Sequence, residues 1–123
     1  MLVVDDSRAM RGMISGIIHG RFLADITECS SGLEALKVIP NQRFDIVITD
    51  INMPDINGFE LIQFLRSNDR FADLPLVVIT TESAPEKRQR ALSAGADAYL
   101  TKPFRPEQLI EILERLSPVT EET

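Results

Sequence analysis

Residues 1–6 read MLVVDD: four apolar side chains fit for a buried strand, followed at once by two adjacent carboxylates. An ionised carboxylate buried without a partner is so costly that it changes protonation state or finds a counter-charge. This stretch therefore predicts a central strand and, at its carboxyl end, something that holds the acids. Outward from it, apolar runs and helical patterns alternate five times, the signature of βα units around a parallel sheet. The strands read as Leu2–Val4, Asp25–Cys29, Asp45–Thr49, Leu76–Thr80 and Ala98–Thr101. Met10, Met13, Ile14, Ile17 and Ile18 repeat at the spacing of an amphipathic helix, and Ser7 is placed to cap it. Leu33, Leu36 and Ile39 give a second helix that Pro40 ends, and Phe59, Ile62 and Leu65, with Leu61 beside them, a third. A fourth opens at Pro85 and closes at Gly95, and a fifth enters through Pro106 and carries Leu109, Ile110, Leu113 and Leu116.

Strands one, three and four (LVV, IVI, LVVI) are apolar throughout, whereas ADITEC and DAYLT mix in polar residues. The first group belongs in the middle of a sheet and the second at its edges. With right-handed crossovers the simplest order is 2-1-3-4-5, a doubly wound, flavodoxin-like α/β sandwich. A chain of 123 residues supports one domain, expected over residues 1–117, with 118–123 as a tail inside the frayed end SPVTEET. The net charge of −6 disfavours nucleic acid and anionic membrane, the sole candidate basic patch being Lys87, Arg88 and Arg90. A single cysteine, Cys29, cannot form an internal disulfide, and no apolar stretch is long enough for a membrane span or signal, so the cytoplasm is the expected location.

In a doubly wound sheet, ligands bind at the carboxyl ends of the strands beside the switch in strand order, here between strands one and three. That rim collects Asp5 and Asp6, Asp50, Thr80 and Thr81, and Lys102, while strand two contributes only Ser30 and Ser31. Two like charges roughly 5 Å apart at an effective dielectric near 20 repel by about 3 kcal/mol, so three clustered carboxylates need a cation. Oxygen ligands with room for water and a phosphate suit magnesium. Asp50, on the central third strand, is the natural nucleophile toward phosphorus, with Lys102 and Thr80 supplying positive charge and a donor to the transferring group. An added phosphoryl charge gives Thr80 and its loop a reason to move, which makes the site a switch.

The segments VVDDS, DINMPDINGFEL, VITTE and GADAYLTKPF resemble the receiver domain of two-component response regulators over essentially the whole chain, and the single-domain chemotaxis type in particular. The resemblance implies that Asp50 is the phosphoacceptor and that Asp6, Asp50 and the Asn52 carbonyl hold Mg2+, with Asp5 acting mostly through water. It implies that Lys102 pairs with phosphoryl oxygens, that Thr80 follows the phosphate inward, and that the ring of Tyr99 turns from solvent to the interior. The Lys102–Pro103 bond would be cis. Asn52 and Glu82 would orient the water that removes the phosphoryl group, giving a phosphorylated lifetime of seconds to minutes. The implied partners are a sensor histidine kinase as phosphodonor, a target that reads helix four, strand five and helix five, and a phosphatase. Relative to the family, the first strand starts abruptly at Met1, as in a trimmed or late-starting chain.

Plainer roles exist for the same residues. Asp5 and Asp6 could cap the first helix, Thr80 could merely end a strand, and Tyr99 could be a half-exposed edge aromatic. His19 reads as a surface residue near a helix end and Cys29 as buried packing. Gly12, Gly16 and Gly20 read as close approach of helix one to the sheet, and the basic residues of helix four as a solvated face. Two other functions share parts of the pattern. A haloacid-dehalogenase-like phosphohydrolase would want an aspartate where Asn52 stands, and a flavodoxin-like cofactor binder would want a phosphate cradle where DDSRAM stands.

Overall fold

Strand pairing follows the apolar runs. A computed structural model describes residues 1–116, and in it β1 (Leu2–Val4), β2 (Thr27–Cys29), β3 (Val47–Thr49), β4 (Leu76–Thr80) and β5 (Ala98–Thr101) form one parallel sheet of order 2-1-3-4-5. The register aligns Val4 with Cys29 and Thr49, Thr49 with Val78, and Thr80 with Thr101, so β4 and β5 run two residues beyond β1, β2 and β3 at the carboxyl edge. The expected tail lies outside the described residues. β2 and β3 are shorter than the runs that predict them. Residues 25–26 and 45–46 precede the paired segments, although the Met1 amino group still donates to the Asp25 carbonyl at 2.6 Å and the Leu2 amide to that of Ile46 at 3.0 Å.

Side chains that alternate along the strands feed two cores, one on each face of the sheet. Leu2, Val4, Val47, Leu76 and Val78 pack against α2 (Gly32–Val38), α3 (Gly58–Ser67) and Ala91 of α4 (Pro85–Ala94). Val3, Ile48, Val77 and Ile79 pack against Ile14 and Ile18 of α1 (Arg8–His19) and Leu109 and Leu113 of α5 (Pro106–Leu116). Burying each such side chain contributes about 1.5–3 kcal/mol. Ser7 caps α1 by accepting from the Met10 amide at 3.2 Å, as predicted. Pro40 does not stop the second helix at once but sits in a 3-10 turn, Ile39–Asn41, that continues it.

Three expectations are corrected. Gly12, Gly16 and Gly20 do not bring α1 close to the sheet. They are exposed, with no neighbour within 4 Å of a Cβ built on Gly12 or Gly16, because Ile14 and Ile18 take the buried face. Met13 is accordingly 43% exposed and lies off the apolar stripe. Tyr99 is not half-exposed: it is 7% exposed, with its ring turned into the fold. The exposed position of His19 in the last turn of α1 and the burial of Cys29 agree with their sequence readings.

Candidate functional site

Each rim residue is placed by the main chain before its side chain does anything. The Asp5 amide donates to the Cys29 carbonyl at 3.1 Å, that of Asp50 to Val4 at 3.0 Å, and that of Lys102 to Thr80 at 2.8 Å. The ladder thus runs one residue past each strand and delivers three charged side chains to one edge. Arg11 of α1 reinforces the exit of β1 by donating to the Asp5 carbonyl at 2.7 Å. The Lys102–Pro103 peptide is cis.

Asp5 and Asp50 are 1% and 7% exposed, and Asp6 is exposed. Asp50 is fixed from one side, its Oδ1 accepting from the amides of Ile51 at 2.6 Å and Asn52 at 3.2 Å. Its Oδ2 accepts from Lys102 Nζ at 2.9 Å, and the same ammonium donates to Asp5 Oδ2 at 2.8 Å. Burial would push the Lys102 ammonium down, but its hydrogen bonds to Asp5 and Asp50 and their charges outweigh this and hold it above the ordinary lysine value. Lys102 therefore stays charged.

One carboxylate oxygen from each of Asp5, Asp6 and Asp50 lies within 4.8 Å of the others. Three carboxylates against one ammonium leave an excess of two negative charges, and all donors are hard oxygens. That donor set fits a divalent cation such as Mg2+.

The remaining predicted residues gather on the same side. Thr80 is fully buried, and its hydroxyl accepts from the Glu82 amide at 3.3 Å. Asn52 Nδ2 donates to Glu82 Oε1 at 3.2 Å, joining the loops after β3 and β4. The Tyr99 hydroxyl donates to the Glu82 carbonyl at 2.6 Å, and burial, followed by the charges of Glu82 and Asp50, raises its phenol above the ordinary value. Ser30 and Ser31 are spent on α2: Ser31 caps it and Ser30 bonds Glu34.

Gly58 is a site residue that motif reading passes over. A Cβ there would run into the Asp50 carbonyl oxygen and come within 2.8 Å of the Ile51 Cα, so α3 can start against the loop that carries Asp50 only at a glycine. The signal available was its position between the helix cap Asn57 and the buried Phe59.

The profile of the response regulator receiver domain matches residues 1–114. The chain is 41% identical over 115 residues to chemotaxis protein CheY1 of Helicobacter pylori, covering 93% of both, and 38% identical to a CheY homolog of Campylobacter jejuni, covering 93% of this chain and 88% of that protein. The structure superposes on chemotaxis response regulator CheY4 of Vibrio cholerae with a TM-score of 0.84 at 38% identity, over 94% and 95% of the two chains. It also matches the receiver domain of a Pseudomonas aeruginosa sensor histidine kinase solved with a magnesium ion coordinated in its active-site cleft, at a TM-score of 0.82 and 26% identity, over 94% and 93% of the chains. With the expected strand order in place and the acidic rim assembled, the chain belongs to the response regulator receiver domain family, as a chemotaxis-type phosphoacceptor switch.

Proposed function

We propose that the protein takes a phosphoryl group from the phosphohistidine of a sensor histidine kinase onto Asp50, and that the modified rim changes the α4, β5 and α5 surface read by a downstream target. The observation that carries this is the single Lys102 ammonium shared by Asp5 Oδ2 and Asp50 Oδ2. Asp50 Oδ1 is held by two amides, which leaves Oδ2 as the attacking atom. Oδ2 bonds to phosphorus as the phosphorus–nitrogen bond to the kinase imidazole breaks, its electron pair leaving with the nitrogen. Lys102 then passes from Oδ2 to a phosphoryl oxygen, where its charge is best used.

Asp6, Asp50 and the Asn52 carbonyl would hold Mg2+, with Asp5 acting through water. Bound there, the ion supplies positive charge against the incoming phosphoryl oxygens. The charge balance of the rim supports this, as does the magnesium-bound relative.

Thr80 accepts from Glu82 and so keeps its own hydroxyl proton to donate to a phosphoryl oxygen. Its movement draws on the loop 81–84, whose Glu82 carbonyl holds the Tyr99 hydroxyl. That chain of contacts links Asp50 to β5 and α4. Asn52 and Glu82, already bonded to each other, orient the water that attacks phosphorus and releases inorganic phosphate, giving a lifetime of seconds to minutes. On this reading the protein catalyses only its own phosphorylation and dephosphorylation, a phosphatase being a further partner, and works in the cytoplasm as a domain over residues 1–117. No helix among the described residues is long and apolar enough to cross a membrane.

Incubation with acetyl phosphate and Mg2+ should add about 80 Da to the wild-type chain and nothing to Asp50→Asn, read by intact mass. An adduct that persists unchanged in Asp50→Asn would remove Asp50 as acceptor.

A further inference from the structure

α4 is fastened in an unusual way. Its sequence, PEKRQRALSA, offers one fully buried residue, Ala91, with Leu92 and Ala94 partly buried against the same core, so its apolar seat is narrow. Its cations do not simply face solvent, as their sequence reading had it. Arg90 lies 4.0 Å and Lys87 5.9 Å from the ring centroid of Phe59 on α3, while Arg88 lies 5.9 Å from that of Tyr99 on β5. Arg88 Nη1 also donates to the Tyr99 carbonyl at 3.3 Å, so its guanidinium spans both the ring and the main chain of one residue. The phenol tip is tied separately to the Glu82 carbonyl.

We propose that Arg88 is a positioning residue that holds the Tyr99 ring turned inward, so that α4 itself sets the balance between inward and outward rings independently of Asp50. The role given to Tyr99 rests on the proposed switch function, but the latch does not depend on phosphoryl chemistry. A guanidinium over an aromatic face attracts it electrostatically, and an outward ring would forfeit that contact together with its burial. Rotation of the ring and displacement of α4 are then one event, since Arg88 belongs to the helix and Tyr99 to the strand.

The chain contains one tyrosine and no tryptophan, so its ultraviolet absorbance and fluorescence near the tyrosine bands report on Tyr99. Arg88→Ala, Arg88→Lys and Arg90→Ala would be compared with wild type, all in an Asp50→Asn background that cannot be phosphorylated at that position. Acrylamide quenching at neutral pH reads ring exposure, and spectrophotometric titration reads the phenol. Arg88→Ala should shift the ring balance roughly two- to fivefold toward the outward form, with a matching rise in quenching. Its phenol should titrate lower than wild type, because lost burial dominates. Arg88→Lys should recover part of the protection, and Arg90→Ala should leave Tyr99 unchanged although it loosens α4 by a similar contact.

The two outcomes have opposite signs. If the ring stays inward without Arg88, removing a positive neighbour raises the phenol still further and leaves quenching unchanged, and the proposal fails. It fails equally if Arg90→Ala exposes Tyr99 as much as Arg88→Ala, since that result describes a generally loosened helix. Thermal unfolding of each variant confirms that a folded protein is being read. Intact mass after acetyl phosphate treatment, with Asp50 restored, tests the acceptor reading separately.

Discussion

Lys102 carries two duties that pull in one direction: it separates Asp5 from Asp50, and it lies beside the oxygen proposed as the phosphoacceptor. Removing one partner from a buried charge cluster costs about 3–5 kcal/mol, because the remaining charges face each other. Lys102→Ala should therefore be destabilised by about 3 kcal/mol in chelator, and millimolar Mg2+ should restore more stability to it than to wild type, as read from urea midpoints. Its acetyl phosphate adduct should form about a hundredfold more slowly, the usual effect of removing one charge-stabilising donor. Gly58 shows the opposite kind of dependence, on the absence of a side chain. The atoms a methyl group would meet are backbone of Asp50 and Ile51, which cannot step aside cheaply. Gly58→Ala should cost about 3 kcal/mol of stability and, on the proposed reading of Asp50 as acceptor, slow phosphorylation, since the atoms displaced belong to that residue and its neighbour.

At the level of elements, the strands were legible because a strand buried on both faces must be apolar along its length, and LVV, IVI and LVVI are. The rim residues were legible for a related reason: they are polar residues standing within two positions of the end of each apolar run. What could not be read depends on rotation and on distant main-chain atoms. The phase of α1 decides whether its glycines meet the sheet, and Ile14 and Ile18 turn them to solvent. Gly16→Ala should accordingly stabilise the protein by about 0.5–1 kcal/mol, measured by thermal or urea unfolding, where a glycine packed on the sheet would lose stability. Arg66 was unreadable because its partners are the carbonyls of Phe71, Leu74 and Gly95, with Asp97 beside them, and no motif records a carbonyl. The inward ring of Tyr99 was legible only as one end of a switch, because its contact with Arg88 comes from a helix that pattern alone assigns to solvent.

At the scale of the molecule, three buried or half-buried groups among the described residues are held above their ordinary values. Burial and then Glu34 push the Cys29 thiol from 9.0 to about 11, burial raises Tyr99, and the Asp5 and Asp50 contacts raise Lys102 against its burial. In each case the folded state keeps its proton longer than the unfolded chain, so the stabilisation is complete below the unfolded value and is lost as pH rises through the folded one. Urea midpoints should hold level from pH 7 to 9 and then decline toward pH 11, with Cys29 accounting for about 2 kcal/mol of the decline. Cys29→Ala should flatten the segment between pH 9 and 10. The shallow seating of α4 has a consequence for how such a protein can be rewired. With Ala91 as its one fully buried residue, the helix can exchange exposed positions such as Glu86, Gln89 and Ser93 without disturbing the layers beneath, provided its ring contacts are kept. If α4 is the surface a target reads, a lineage could thus acquire a new listener by rewriting those few exposed positions, while the chemistry at the far end of the loop continued as before.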